Sequence, residues 1–253
     1  MINGIVAENI WFSYSKRIKA LQGASLHAHP GRVCVLLGAN GSGKSTLLYI
    51  IAGLLKPDNG KVFYNGHDIS KLGAEYRLKV GMLFQNPDDQ IFNITVKEEL
   101  AYGLRQLGFK GEELERRVID TARKFRIDHL LDRSPYELSF GEKKIVMLAA
   151  VTIHEPEIII LDEPFANLGA SYGRIIMEFI EDMRRENRII ILATHNPFVA
   201  LQLADIVVII RQGKTIFSGS IKEFADKRMF EEADLEDPCS MLGLAREMCG
   251  WDS

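Results

Sequence analysis

The residues best equipped for chemistry lie in Gly38-Ala39-Asn40-Gly41-Ser42-Gly43-Lys44-Ser45-Thr46, a Gly-x-x-x-x-Gly-Lys-Ser run. Apolar Val33–Leu37 precedes it and Leu47–Ala52 follows, the strand, turn and helix start that a phosphate loop requires. Glycines let the backbone bend until successive N–H groups converge on a phosphate. A helix beginning near Lys44 adds the positive end of its dipole. Asn40, Gly41, Ser42, Gly43, Lys44, Ser45 and Thr46 are therefore candidate phosphate contacts. Lys44 has the reach for β- and γ-phosphates, and the Ser45 hydroxyl suits Mg²⁺, a hard cation that prefers oxygen.

Other residues could complete such a site. Ile158-Ile159-Ile160-Leu161 delivers Asp162 and Glu163 to a strand end, where ligand sites of α/β folds lie. Asp162 suits the Mg²⁺ sphere, directly or through water, and Glu163 the polarising of an attacking water. Gln85 ends the strand Val80–Phe84 and can ligate Mg²⁺. His195, in Thr194-His195-Asn196-Pro197, can hydrogen-bond a terminal phosphate, although a lone histidine there more often closes a turn. Tyr14 offers an aromatic face for a base, and reads equally as a strand-favouring aromatic. In Leu138-Ser139-Phe140-Gly141-Glu142, Ser139 is a good helix N-cap with Glu142 as its capping-box partner. Ser139 and Gly141 at a helix N-terminus equally make an anion site, and a helical insert standing apart from the core would present it to the phosphate loop of a second copy.

The elements that must position these groups follow from the pattern. Strands are expected over 5–14, 20–28 and 33–37, then over 61–64 before the turn Asn65-Gly66, and over 80–84. Helical spacing runs from Thr95 to about Gly108 and from Glu112 to Leu131, with a third helix from Ser139 to Ile153. Residues from about 88 to 154 thus form a helical insert in an α/β domain. The pattern resumes with a strand at 158–161, a helix Gly173–Arg185, a strand Arg188–Ala193, a helix Pro197–Ala204 and a hairpin about Gln212-Gly213. An α/β domain over 1–221 would be followed by a helical tail over 222–253, whose stripe Met241, Leu244, Ala245, Met248 and Trp251 reads as packing surface.

Composition narrows the setting. The chain has 253 residues, 47% hydrophobic and 26% charged, as an ordinary globular protein does. A net charge of −3 gives no basic footprint and argues against nucleic acid as a partner. Cys34, Cys239 and Cys249 read as reduced cytoplasmic thiols, not a disulfide framework or a zinc site. No apolar run approaches a bilayer span, and Met1 to Asn9 does not read as a secretory signal. Work at a membrane would need another chain as anchor.

Taken in order, these pieces resemble the ATP-binding-cassette (ABC) ATPase family over essentially the whole chain. Gly38–Thr46 matches Walker A, Gln85 the Q-loop, Leu138–Glu142 the signature, Ile158–Glu163 Walker B, His195 the switch histidine and Tyr14 the A-loop aromatic. The segment Phe84–Phe92 and the tail Glu231–Pro238 are similar to ATPases of cobalt/nickel and energy-coupling-factor (ECF) vitamin importers. The resemblance implies a P-loop fold with a mixed-sheet core, an N-terminal antiparallel β-subdomain and an inserted α-helical subdomain. It implies ATP and Mg²⁺ as cofactors, and hydrolysis between two head-to-tail cassettes, with Ser139 and Gly141 acting in trans. It further implies a second ABC ATPase subunit, the same or different, an integral membrane subunit docked beside Gln85, and a peripheral place on the inner face of the cell membrane.

Three departures stand out. Phe140 and Glu142 replace the usual Gly and Gln of the signature, and an aromatic at 140 is seen in this importer group. Gly169 stands where the D-loop usually has Asp, which suggests either one weakened composite site in a heterodimer or a homodimer with relaxed D-loop chemistry. The basic residue common after the signature is missing, since Ile145 follows Lys144. A soluble ABC ATPase with an assembly or mechanical role is the competing reading. Fewer than 100 residues separate Lys44 from Ser139, which leaves no room for the long coiled coil of chromosome-maintenance types.

Overall fold

The computed structural model describes residues 3–224 and Leu235. The chain opens with β1 (Ile5–Ser15), β2 (Ile18–Ala28) and β3 (Val33–Leu37), then α1 (Lys44–Ile51), β4 (Asn59–Tyr64), β5 (His67–Asp68), α2 (Gly73–Arg77) and β6 (Val80–Leu83). Three helices follow: α3 (Val96–Gln106), α4 (Gly111–Lys124) and α5 (Phe140–Thr152). It then alternates through β7 (Ile158–Asp162), α6 (Ala170–Arg185), β8 (Ile189–Thr194), α7 (Pro197–Leu203), β9 (Ile206–Arg211), β10 (Lys214–Ser220) and α8 (Ile221–Phe224).

Two sheets result. One is antiparallel, in the order β2-β1-β4-β5. The other runs β10-β9-β3-β8-β7-β6, parallel except for the edge strand β10. All residues of β3, β7 and β8 are buried, which explains their unbroken apolar runs. The period of two still operates within them. Val33, Val35 and Leu37 of β3, Ile159 and Leu161 of β7, and Ile190 and Leu192 of β8 join a core with α3 to α7. Cys34, Leu36, Ile158, Ile160, Ile189 and Ile191 face the other way, into a core with α1 and the antiparallel sheet. Each such buried Ile or Leu stabilises the fold by about 1.5–3 kcal/mol. Burial also raises the Cys34 thiol to about 12, so it is an inert filler.

Several boundaries differ from the sequence reading. The helix expected over 112–131 stops at Lys124. Arg126 takes a left-handed φ of 61°, and Ile127 N–H bonds Ala122 C=O at 2.8 Å while Arg126 N–H bonds Arg123 C=O at 3.0 Å. This is a Schellman end without its usual glycine, so no residue type announced it. A 3₁₀ turn, Asp128–Leu130, carries the rest of the apolar pattern. The strand expected over 80–84, β6, ends at Leu83, so Gln85 lies two residues beyond it. The short α2 was not anticipated; it is anchored by the buried Tyr76, whose hydroxyl donates to Ile51 C=O at 2.6 Å. The apolar stripe read at 241–251, the tail similarity at 231–238 apart from Leu235, Cys239 and Cys249 lie outside the described residues.

Candidate functional site

The loop between β3 and α1 turns on Gly43, the N-cap of α1, at φ 108°. A Cβ there would sit 2.7 Å from Ala20 C=O, so both the backbone angle and the space demand glycine. The loop borders a cavity of about 460 Å³ lined by Tyr14, Asn40, Gly41, Gly43 to Thr46, Gln85, Asp162 and Glu163. Ser42 is buried just behind, its Oγ without a partner. The exposed Tyr14 places its hydroxyl 3.2 Å from Thr46 Oγ1, while its ring meets Phe12 edge-on.

Lys44 is buried and folds back over its own loop. Its ammonium donates to Gly38 C=O at 2.8 Å and Ala39 C=O at 3.1 Å, and stands 3.6 Å from Glu163 Oε1. Burial lowers its pKa, and the Glu163 and Asp162 carboxylates oppose that shift. Asp162 closes β7 fully buried, and neither of its carboxylate oxygens has a hydrogen-bond partner. Burial pushes its carboxyl up, against the pull of Ser45 and Lys44 nearby. A buried, orphaned carboxylate beside a serine hydroxyl is an oxygen donor set short of its cation. Among the described residues no cluster of three His, Cys, Asp or Glu could hold a metal by itself. Mg²⁺ fits this pocket, since it binds through one or two protein oxygens and the phosphates of its nucleotide.

Glu163 has a left-handed backbone, φ 48°, sparsely populated for this residue type. Its side chain is buried and fully engaged: His195 Nδ1 lies 2.8 Å from Oε1, and Thr194 Oγ1 donates to Oε2 at 3.2 Å. A carboxylate on that side places the imidazole proton on Nδ1. His195 itself is half exposed and reaches the cavity only through Glu163.

Ser139 and Gly141 stand elsewhere. They open α5 and do not line the cavity. The predicted capping box is present: Glu142 N–H donates to Ser139 Oγ at 3.3 Å, and Ser139 N–H and O–H donate to Glu142 Oε2 at 2.8 and 2.7 Å. The Ser139 hydroxyl holds the Glu142 carboxyl below its ordinary value. Gly141 is needed for space: a Cβ there would come within 2.5 Å of the Tyr172 ring on α6.

Some contributors gave no sequence signal. Thr194 read as the first residue after the strand 188–193, yet it ends β8 and its hydroxyl holds Glu163. Gln90 ties down the Gln85 turn by accepting from Phe84 N–H at 2.8 Å and donating to Met82 C=O at 2.9 Å. Lys144 is fully buried in α5 and hydrogen-bonds Glu163 C=O. In the sequence it follows Glu142 and Lys143 at the polar start of the helix, so nothing there announced its burial.

A phosphate loop and two buried carboxylates at the ends of parallel strands define a P-loop nucleotide hydrolase. The family model described as ABC transporter matches residues 21–166. The energy-coupling factor transporter ATP-binding protein EcfA of Methanosphaera stadtmanae is 36% identical over 237 residues, 91% of this chain and 84% of that one. EcfA3 of Clostridium perfringens is 35% identical over 236 residues, 91% of this chain and 83% of that one. Among solved structures, cbiO1 from Clostridium perfringens, described as part of the ABC transporter complex cbiONQ, matches with a TM-score of 0.79 at 33% identity, over 98% of this chain and 100% of that one. The chain belongs to the ABC transporter family. It is an ABC ATPase subunit of a transporter, and it works on ATP with Mg²⁺.

Proposed function

We propose that this chain powers an importer of the energy-coupling-factor type, for cobalt, nickel or a vitamin, by closing head to tail on a second ABC ATPase subunit when ATP binds. The observation that carries the reading is the division of the site: Lys44, Asp162 and Glu163 share one cavity, while Ser139 is exposed at a helix start outside it. The EcfA relatives and the cbiO1 structure favour the importer type. Residues 1–221 act as the ATPase domain, with the helices between about 88 and 154 as its mobile subdomain and 222–253 as an appended tail.

In this reading Tyr14 stacks on adenine at the cavity mouth. Backbone N–H groups of Asn40 to Thr46 cradle the phosphates, and Lys44 exchanges Glu163 for β- and γ-phosphate oxygens. Ser45, Asp162 and Gln85 would hold Mg²⁺, which when bound would neutralise phosphate charge. Released from Lys44, Glu163 orients and polarises water, and His195 steadies both Glu163 and the terminal phosphate. Ser139 and Gly141 of the second subunit stabilise the charge that develops at that phosphate.

Membrane attachment falls to an integral partner, because no helix among the described residues is long and apolar enough to span a bilayer. Exposed Phe92 and Tyr102, packed edge to face at 4.6 Å just beyond the Gln85 turn, suit such a contact. The test is copurification from native membranes combined with turnover. An integral membrane protein and a second ATPase chain should copurify, and turnover should require the pair or a dimer of this chain. Association with cytosolic scaffolds alone would overturn the transport reading.

A further inference from the structure

Lys144 occupies the fully buried side of α5, and its ammonium donates to two main-chain carbonyls, Glu163 at 2.6 Å and Ala166 at 3.3 Å. The ring of Phe140 lies 5.3 Å from the same nitrogen, a cation–π distance. An ammonium is a costly way to fill core volume, and an apolar side chain of similar length would pack there with less desolvation. What it does that methionine cannot is grip both carbonyls at once.

Those carbonyls are not arbitrary. The first belongs to the residue whose left-handed backbone aims its carboxylate at Lys44 and His195. Ala166 N–H also donates to it, at 3.2 Å, so Lys144 and Ala166 together brace a conformation that is unfavourable by itself. The second carbonyl opens the turn that leads through Gly169 into α6. Lys143, the residue before it, pairs with Asp88 Oδ1 at 2.8 Å, on the 3₁₀ turn Pro87–Asp89 that follows Gln85. Adjacent lysines therefore fasten the start of α5 to the two segments that flank the nucleotide cavity.

We propose that Lys144 is a positioning residue for hydrolysis: it braces the Glu163 backbone and makes the Ser139–Gly141 helix start move as one piece with Glu163 and the Ala166 turn. The proposal rests on the reading of Glu163 as the water-polarising residue and of Ser139 as a contact to a second subunit. It assigns to Phe140 the task of covering the ammonium.

The test compares wild type, Lys144→Met, Lys144→Gln and Phe140→Leu in the full chain. Hydrogen exchange is followed with and without Mg²⁺ and a non-hydrolysable ATP analogue, alongside kcat and KM. The wild-type chain should slow its exchange over 38–46 and over 138–148. Lys144→Met should keep the first response and lose the second, with kcat down at least about tenfold and KM within about twofold. Lys144→Gln, which retains a donor, should recover a substantial part of both, and Phe140→Leu should weaken the second response alone.

A Lys144→Met chain that responds like wild type over 138–148 overturns the proposal. So does an equal loss of nucleotide binding and kcat. Should Lys144→Met fail to fold, an undiminished response over 138–148 in Phe140→Leu overturns it instead. Because exchange needs no turnover, it decides the matter even if the chain works only with a second ATPase. Absence of any wild-type response over 38–46, or full turnover in Glu163→Gln, would count against the nucleotide reading itself.

Discussion

Glu163 is the residue on which most of the proposed chemistry turns, and three neighbours claim its carboxylate at once: Lys44, Thr194 and His195. Glu163→Gln keeps the shape and removes the base, so phosphate release should fall by about 10² or more while nucleotide binding persists. Equal losses of both, measured by phosphate release and nucleotide titration, would refute the assignment. Glu142 raises a different issue, because it places a carboxylate against the Ser139 hydroxyl proposed to meet a partner's phosphate. Glu142→Gln should therefore tighten ATP-dependent subunit pairing several-fold, read by sedimentation in a Glu163→Gln background. Most of these groups were legible from type and spacing, since Gly-rich loops and strand-end carboxylates carry their chemistry in the residues themselves. Thr194 and Lys144 were not, because their roles depend on which backbone lies opposite.

Among the elements, α6 begins without a side-chain cap, since Gly169 holds that position at φ −70°, ψ 157°. No atom lies within 4 Å of where a Cβ would go. Gly169→Asp should add a few tenths of a kcal/mol of stability through capping, read by thermal melting. It should also raise turnover if the missing D-loop carboxylate limits the composite site; turnover unchanged in a correctly paired dimer would dismiss that role. Gly141→Ala tests the opposite situation. The added methyl meets the Tyr172 ring, so the start of α5 must shift, and kcat should fall with nucleotide affinity kept. Element boundaries were legible where a residue type marks them, as Ser139 and Thr95 mark the starts of α5 and α3. The end of α4 was not, because Arg126 adopts the left-handed conformation by virtue of its surroundings.

Across the whole molecule, the two sheets are joined by a polar clamp at one end. Glu157, just before β7, accepts from Lys79 at 2.5 Å and from the Tyr64 hydroxyl of β4. The Lys79 hydrogen bond, then that of Tyr64, lowers the Glu157 pKa from its ordinary 4.5. Its stabilising effect is thus complete above about pH 4.5 and disappears as pH falls through the depressed folded value. Both side chains are partly exposed, so the effect stays below about 1 kcal/mol. Glu157→Gln should flatten the acid limb of the stability curve by that amount, as denaturant titrations from pH 3 to 7 would reveal.

The alternating allegiance of β3, β7 and β8 carries a last consequence. Each strand feeds two cores in strict turn, and β7 also ends on Asp162. Adding or deleting one residue within such a strand would exchange the inward and outward sets in both compartments and swing the Asp162 carboxylate away from the cradle. Lengthening is tolerable in the turns, but inside these strands packing and catalysis share a single reading frame.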